Sequence, residues 1–595
     1  MLTKIISTIM SVIMAVSGFL TTSLSNVVDA ASEMIFGIPY TAEAIKADFF
    51  NEMDDSDVVA LDETSGFVKD KLAVFVDSEM RFADKLNLLT NCGGIISGWC
   101  MPTDLFVITY SDMTYEQAKE KCGLIDALNG VELAVPVMAY KNELNKTPDD
   151  NFDFTSDEPV SWNELLPSGS NWWLEAIDAR QAWDYEEYFN TVNIGILDAG
   201  FEVNHPELRG KIRFPGSKDE RRNIPHDHGT HVAGIISAKH NSTGVAGICE
   251  NANLICVDWL PDVFQFWSTD LSIFFGISTL IKAGSKVFNL SLGTSGSKNS
   301  NSSGFWENVV EAGALSYMMA SLISKGYDFL AVQSAGNGDA FGDPIDSRNN
   351  GHFCSLTEDN IFVGSKNVSK QEILDRIVIV ASASNNLDGT FMQSYFSNVG
   401  PYVSIAAPGE NIFSTFTDGA YGYMSGTSMA APVVTAVAGL VWSVNPSFTA
   451  AEVKNIVCTS TNRIASVYSE NEFYYDVEAM DYPMVNAKLA VEEAIRRSRS
   501  TVGTVEGKII GDAEEIVFSG DSHTVYSDGT YSFVAEEGTG VAEIYGADGL
   551  LLGSFELTVT AGQLTEAEDF TVTTEDNVPE TDEPVTDTEN NEGEI

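Results

Sequence analysis

Residues 162–500 contain six short runs rich in β-branched residues, separated by longer amphipathic segments, and this alternation is the strongest constraint on the fold. The runs are Val192–Leu197, Leu254–Val257, Lys286–Leu290, Phe329–Ser334, Ile377–Ala381 and Val403–Ala406. Strands that are almost continuously apolar are buried on both faces, and strands that alternate with helices form a parallel sheet. The sequence therefore predicts an α/β region, with a mostly parallel sheet covered by helices on both faces.

A smaller α/β unit is predicted upstream of that region. Between residues 71 and 138, apolar runs and helical spacing follow in the order strand, helix, strand, strand, helix, strand. This order is the split-βαβ pattern of ferredoxin-like units. We assign residues 57–140 to this unit, and the acidic, turn-rich residues 141–161 to a linker.

The last hundred residues have a different composition. Lys508 is the last Lys or Arg of the chain, and residues 502–572 alternate apolar and polar side chains between turns. This texture is typical of a small β-sandwich. Residues 573–595 are acidic and contain neither an aromatic nor a basic side chain, so we expect a disordered tail.

The N-terminus has the pattern of a secretory leader. Lys4 precedes an apolar run from Ile5 to Leu20, and small residues around Ala30 fit a cleavage site. We therefore expect residues 1–30 to be removed and the protein to be secreted, either released or held at the cell surface.

Charge and cysteine content exclude several classes of protein. The chain has 33 Lys and Arg against 86 Asp and Glu, a net charge of −53, which disfavours nucleic acid and anionic membranes as partners. Seven cysteines in so long a chain do not form a disulfide framework, and no spacing among them is typical of zinc. No nucleic-acid partner is expected.

Three short segments carry side chains suited to chemistry. Asp198 ends the first predicted strand, at the edge where α/β proteins place their sites, although Asp is also a common cap there. His228 begins an apolar helical stretch and is placed to accept a proton, while its pairing with His231 also admits a metal site. Ser428 precedes a long run of small apolar residues, where an ordinary helix cap is the alternative.

Taken together and in this order, the segments resemble the subtilisin-like serine peptidases, whose catalytic residues run Asp, His, Ser along the chain. Five motifs carry the resemblance, and they are Ile194–Gly200, His228–Gly234, Asn289–Gly293, Ser334–Gly338 and Ser425–Pro432. The resemblance implies an Asp198–His228–Ser428 triad, with the Asn337 side chain and the Ser428 N–H as donors to the oxyanion. It also implies four substrate-binding residues, namely Ser291, Leu292, Gly293 and Gly336.

The family resemblance implies no cofactor for catalysis but a structural calcium ion. The expected ligands are the side chains of Glu207 and Asn241 and the backbone oxygens of Lys239, Thr243 and Val245. Glu207 is one methylene longer than the aspartate of the family motif, which changes the geometry of such a site.

The family also implies a zymogen, in which residues 57–140 act as an inhibitory propeptide within the chain. The expected protein is then a monomeric, secreted endopeptidase that cleaves proteins or peptides, and the stretch Val263–Trp267 is a candidate apolar subsite. Two other functions stay open: a catalytically silent subtilisin fold that binds a partner, and a surface-adhesion protein in which the C-terminal β-module acts.

Overall fold

The computed structural model describes most of the chain, and its description covers residues 49–50, 55–62, 65–141, 171–215, 223–241, 243–259, 267–293, 303–339, 342–386, 389–467, 480–526 and 529–572. The predicted leader, the linker beyond residue 141, residues 263–266 of the candidate subsite and the acidic tail lie outside the described residues. The chain divides into two compact units, Met1–Ala494 and Ile495–Ile595.

An antiparallel sheet with two helices forms the N-terminal part of the first unit. Its elements are β1 (Phe49–Phe50), β2 (Val58–Ala60), β3 (Ser65–Val76), α1 (Phe82–Thr90), β4 (Ile95–Cys100), β5 (Leu105–Thr109), α2 (Tyr115–Asp126) and β6 (Val131–Lys141). Strand β3 pairs with both β5 and β6, and β4 pairs with β5. Helix α2 begins with a capping box between Thr114 and Gln117. Leu89, Phe106 and Ala118 belong to the buried core of this part.

A ten-stranded sheet organises the rest of the first unit. The strands after β6 are β7 (Val192–Asp198), β8 (Ile212–Arg213), β9 (Ala252–Asp258), β10 (Trp267–Thr269), β11 (Val287–Leu290), β12 (Leu330–Ser334), β13 (Ile377–Asn385), β14 (Phe391–Gln393), β15 (Ile405–Pro408), β16 (Ile412–Thr415), β17 (Tyr421–Met424), β18 (Ile464–Ser466) and β19 (Tyr482–Pro483). Strand β10 belongs to the N-terminal sheet, β16 and β17 pair with each other, and the other ten strands form the ten-stranded sheet. The helices are α3 (Trp172–Glu175), α4 (Ala179–Trp183), α5 (Asp227–Ser237), α6 (Asp270–Lys282), α7 (Ser303–Ser324), α8 (Lys370–Leu374), α9 (Thr427–Val444), α10 (Ala450–Thr459) and α11 (Ala487–Ser498).

All six predicted runs are strands of this sheet, so the predicted α/β fold with a mostly parallel sheet is confirmed for this region. The order β13, β12, β11, β7, β9 is parallel throughout, and β15 also runs parallel to β13. The antiparallel pairs lie at one edge of the sheet, where β13 meets β14 and β18 meets β19. Each of these five central strands is largely buried, which explains their near-continuous apolar sequences.

The register of the central strands brings their carboxyl ends to one edge. Leu290 lies opposite Leu197 on one side and Gln333 on the other, so β7, β11 and β12 end at the same level. Helix α9 is apolar and buried along nearly its whole length. Among the described residues, α9 is the one helix that is long and apolar enough to cross a membrane. Because it is buried inside the protein, it is a core helix.

The second unit contains two four-stranded sheets. Its strands are β20 (Val502–Ile510), β21 (Glu515–Phe518), β22 (Asp521–Thr524), β23 (Thr530–Glu536), β24 (Gly538–Tyr545), β25 (Leu551–Val559), β26 (Leu564–Glu566) and β27 (Phe570–Thr571). One apolar core joins residues of both sheets, including Val505 and Phe533 from one and Ile516 and Ile544 from the other. All seven cysteines are free, and five of them are buried.

Candidate active site

Asp198 and His228 meet at the carboxyl edge of the central sheet. Strand β7 is buried and ends at Asp198, which is 1% exposed. Asp198 Oδ1 lies 2.6 Å from His228 Nδ1 and accepts a second bond of 2.7 Å from the Ala199 N–H. Because Nδ1 faces a carboxylate, it carries the proton of the neutral imidazole, and Nε2 is then the basic nitrogen.

The start of helix α5 fixes the position of His228. The His226 imidazole caps this helix, because its Nδ1 accepts from the His228 N–H at 3.1 Å. The Gly229 N–H donates to the Ala199 carbonyl at 3.1 Å, and a Cβ on residue 229 would overlap that carbonyl. The glycine therefore lets the first turn of the helix lie against the loop that follows Asp198.

His231 has a different role from His228. It is fully buried, and its Nε2 lies 2.9 Å from the Ile412 carbonyl oxygen. Burial lowers the pKa of His231 to about 3, so the ring is neutral in the folded protein. No cluster of three or more His, Cys, Asp or Glu side chains suited to a metal ion occurs among the described residues. The arrangement therefore does not support a metal site at these two histidines.

Ser428 is the second residue of helix α9, where backbone N–H groups have no partner within the helix. Its side chain is half-buried, and its Oγ donates a long bond of 3.4 Å to the Ser291 carbonyl. Pro432 has no N–H and cannot bond to the carbonyl four residues before it, which is that of Ser428. The Ser291 hydroxyl takes this place and donates to the Ser428 carbonyl at 2.6 Å. Asn289 Nδ2 in turn donates to the Ser291 Oγ at 2.8 Å, so a buried amide supports the start of α9.

The Asn337 carboxamide is held beside the same helix start. Its Oδ1 accepts from the Thr427 N–H and from the Thr427 hydroxyl, both at 2.8 Å. These two bonds fix the orientation of the amide, so Nδ2 points away from Thr427. A Cβ on Gly426 would stand 3.3 Å from Asn337 Nδ2 and 3.6 Å from the Ser428 nitrogen. Two nitrogen atoms that carry N–H groups therefore lie close to one point beside Gly426, an arrangement that suits an oxyanion.

The four predicted substrate-binding residues lie at this edge as well. Ser291, Leu292 and Gly293 follow strand β11, and Gly336 follows β12. The Gly336 N–H donates to Thr427 Oγ1 at 3.1 Å, and Gly336 has a φ of 101°, which a residue with a side chain adopts only with strain. The structure thus brings every predicted catalytic and substrate-binding residue to one edge of the sheet.

Sequence reasoning missed two residues of this region. Thr427 orients Asn337, and its place directly before Ser428 in the Gly-Thr-Ser motif was the available signal. Asn350 packs against Gly293 and Gly336, and the sequence holds no signal for that contact.

Two of the residues expected to bind calcium, Asn241 and Thr243, lie within hydrogen-bonding distance of a third, Glu207, which is fully buried. Glu207 Oε2 accepts from Asn241 Nδ2 at 2.8 Å. Its Oε1 accepts from the Thr243 hydroxyl at 3.2 Å and from the Tyr421 hydroxyl at 2.9 Å. Burial and the neighbouring Glu207 raise the pKa of Tyr421, so this hydroxyl keeps its proton and acts as a donor.

This donor set does not fit a calcium ion. Calcium takes six to eight oxygen ligands, whereas the Asn241 N–H and the Tyr421 hydroxyl donate to the carboxylate. The Asn241 Oδ1 is itself occupied, because it accepts from the Thr243 N–H at 3.0 Å and from the Thr243 hydroxyl at 2.7 Å. The Lys239 ammonium lies at the same loop, where it donates to the Pro206 carbonyl at 3.1 Å, and Val245 is buried. The calcium site stays a prediction from the family resemblance, and the contacts of Glu207 do not favour it.

Comparison with family models and known proteins places this geometry in context. Residues 190–486 match the model of the subtilase family of peptidases. Thermitase from Thermoactinomyces vulgaris is 30% identical, over 47% of this chain and 85% of its own length. Subtilisin NAT from Bacillus subtilis subsp. natto is 31% identical over 48% of this chain, which spans 63% of that relative.

A solved structure shares the fold over most of the chain. Fervidolysin from Fervidobacterium pennivorans, described as a keratinolytic enzyme related to subtilisin, matches with a TM-score of 0.52 at 18% identity. The match covers 88% of this chain and 81% of fervidolysin. At this identity the likeness concerns the fold alone.

Proposed function

This chain belongs to the subtilase family, and on that premise we propose that it is a serine endopeptidase that hydrolyses peptide bonds in proteins. The observation that carries the proposal is the 2.6 Å contact between Asp198 Oδ1 and His228 Nδ1, at the sheet edge that also holds Ser428. A buried carboxylate, an imidazole and a hydroxyl at a helix start are the three groups needed for nucleophilic acyl transfer.

In the acylation step, the Ser428 Oγ attacks the carbonyl carbon of the scissile bond while His228 Nε2 takes the hydroxyl proton. Asp198 holds the Nδ1–H and stabilises the imidazolium that forms. The bond from Ser428 Oγ to the Ser291 carbonyl is long and weak, so little is lost when the hydroxyl turns to the imidazole.

The tetrahedral intermediate carries its negative charge on the former carbonyl oxygen. Asn337 Nδ2 and the Ser428 N–H are the two donors that stabilise this oxyanion. His228 then gives its proton to the leaving amine as the C–N bond breaks. Water, deprotonated by the same imidazole, hydrolyses the acyl-enzyme and restores the Ser428 hydroxyl.

Labelling with a fluorophosphonate and hydrolysis of casein test this proposal. We expect the processed protein to be labelled at Ser428, and Ser428→Ala to lose both labelling and hydrolysis with an unchanged melting temperature. Ser447→Ala, at an exposed serine, is the matched control and keeps both activities. Full hydrolysis in Ser428→Ala, or an unlabelled Ser428 in the processed protein, would overturn the assignment.

The finer part of the proposal is a secreted, monomeric zymogen, with residues 57–140 as its inhibitor. Contacts within the first unit support such a docked domain. The end of β6 pairs antiparallel with β10, and the Phe75 ring makes an edge contact with Tyr317 at 5.3 Å. Asp104 is buried, and its Oδ2 accepts from the ammonium of Lys325, at the end of α7, at 2.6 Å.

N-terminal sequencing of the secreted protein tests the zymogen. We expect the mature chain to begin between residues 138 and 164, and Ser428→Ala, produced without a second protease, to retain residues 57–140. A fully active enzyme that still carries those residues in covalent linkage would contradict the proposal.

A further inference from the structure

Two backbone segments beside Ser428 enclose a narrow gap. They are Ser291–Gly293 and Ser334–Gly336, which lie at the ends of the neighbouring parallel strands β11 and β12. The Asn350 side chain lies against both segments, because a Cβ on Gly293 would overlap Asn350 Oδ1, and a Cβ on Gly336 would stand 2.8 Å from the same atom and 2.4 Å from Asn398 Nδ2. Each segment therefore has a glycine where it faces the Asn350 carboxamide, and Asn398 lies beside Gly336 as well.

Asn350 is held firmly in this position. It ends a 3₁₀ helix, Ser347–Asn350, and is 7% exposed. Its Nδ2 donates to the Ser334 carbonyl at 2.8 Å, and this bond turns Oδ1 towards the gap. The next turn is anchored through Gln333, whose Oε1 accepts from the Phe353 N–H at 2.9 Å.

The position of the reacting groups places the substrate at this gap. Ser428 Oγ lies 3.4 Å from the carbonyl oxygen of Ser291, and the oxyanion donor Asn337 directly follows Gly336. In a substrate with its carbonyl carbon at Ser428 and its oxygen towards Asn337, the Cα lies one bond, about 1.5 Å, from the reacting carbon. The side chain of that residue, P1, therefore starts at the mouth of the gap.

We propose that Asn350 is a specificity-determining residue that restricts P1 to the size of Gly, Ala or Ser. This inference rests on the proposed peptidase function. A P1 side chain of Leu or Phe needs the space that the carboxamide occupies, and it would bury Oδ1 against apolar atoms without a donor. A Ser side chain is short enough to enter, and its hydroxyl has Oδ1 as an acceptor.

Tetrapeptide p-nitroanilides that differ only in P1 (Ala, Leu or Phe) test the inference on the mature enzyme. We expect kcat/KM for the Ala substrate to exceed that for Phe by at least about 10-fold. Asn350→Ala should raise kcat/KM for Leu and Phe by at least about 10-fold, with that for Ala changed less than about threefold. Asn349→Ala is the matched control, since its Nδ2 donates to the Asp346 carbonyl at 3.1 Å, and it should leave the P1 ratios unchanged.

Two results would overturn the inference: a wild-type preference for Leu or Phe, or an equal loss on all three substrates in Asn350→Ala. The second result would show that Asn350 only supports the fold. If Asn350→Ala gives no titratable active sites, Asn350→Ser replaces it, because its hydroxyl stays near the Ser334 carbonyl. The ratio of kcat/KM for the Ala substrate to that for the Phe substrate in the wild-type enzyme decides in either case. Normal fluorophosphonate labelling with the wrong P1 preference refutes this inference alone, whereas absent labelling and hydrolysis refute the peptidase function and this inference with it.

Discussion

Two buried carboxylates lie at opposite ends of helix α5, and their surroundings differ in kind. Asp198, at the start of the helix, faces the Nδ1 of His228, an imidazole whose other nitrogen can accept a proton from a nucleophile. Glu207, beyond the end of the helix, accepts hydrogen bonds only from neutral donors, which are Asn241, Thr243 and Tyr421. Burial is almost equal at the two sites, so burial does not distinguish a reactive carboxylate from a structural one.

The hydrogen-bond partners of the two carboxylates determine whether each one is catalytic or structural. A carboxylate beside an imidazole stabilises the charge that develops on that ring during proton transfer, which is a catalytic effect. A carboxylate whose oxygens accept hydrogen bonds from amide and hydroxyl donors is itself stabilised by them, which is a structural effect. Isosteric substitutions at the two positions should therefore have opposite consequences.

The largest effect is expected for Asp198→Asn. The amide has nearly the shape of the carboxylate, but it favours the wrong imidazole tautomer and cannot stabilise the imidazolium, so kcat should fall about 10⁴-fold. Steady-state hydrolysis of a peptide anilide measures the loss, and the thermal midpoint should stay near that of the wild type. A loss below about 10-fold would contradict the role of Asp198.

Asn337→Ala should lower kcat by about 10²–10³, with KM nearly unchanged, because it removes one of two donors to the oxyanion. The loss known for this donor in subtilisin, another subtilase, supplies that magnitude. Steady-state kinetics separates kcat from KM. A rise in KM with constant kcat would instead assign Asn337 to substrate binding in the ground state.

Glu207→Gln is the structural counterpart of Asp198→Asn. Its new NH₂ group faces donors that already point at this position, so the free energy of unfolding should fall by about 1–3 kcal/mol. Hydrolysis per titrated active site should stay within about twofold of the wild-type rate. Denaturant unfolding gives the first value, and a catalytic loss comparable to that of Asp198→Asn would erase the distinction between the two centres.

His228 and His231 offer a second comparison on the same helix. The pKa of His231 is lowered to about 3, below the ordinary value of about 6.5, so the unfolded chain binds a proton that the folded chain does not. This site therefore removes stability as pH falls below about 6.5, by about 1.4 kcal/mol for each unit. In His231→Gln, whose amide still has an N–H for the Ile412 carbonyl, unfolding free energy between pH 6.5 and 5 should depend less on pH. Equal slopes in the two proteins would contradict the assignment.

The smallest effect is expected from EDTA. Because the Glu207 oxygens are filled by protein donors, chelation should leave the thermal midpoint unchanged, whereas the calcium site predicted from the family resemblance requires a fall. Differential scanning calorimetry with EDTA, and with calcium added back in excess, decides between these outcomes.

Much of the fold was readable from local pattern. The six apolar runs were all strands, because a strand buried on both faces must be apolar along its whole length. Several ends differed by one or two residues; β9, for example, extends to Asp258 beyond the predicted Val257, since backbone pairing continues after the apolar pattern stops. The order of the Asp, His and Ser motifs was equally legible, because each motif is contiguous in the chain.

The sequence by itself determined the parallel sheet, the order of the motifs and the residue types at the site, because these depend on periodicity and on neighbours in the chain. Only the tertiary structure decided what surrounds each group. It brought hydrogen-bond donors to the Glu207 carboxylate, including Tyr421 from 214 positions away, and it placed Asn350 against Gly293. The physical reason is that side-chain partners are chosen by packing between distant segments, and no local pattern encodes which segments meet.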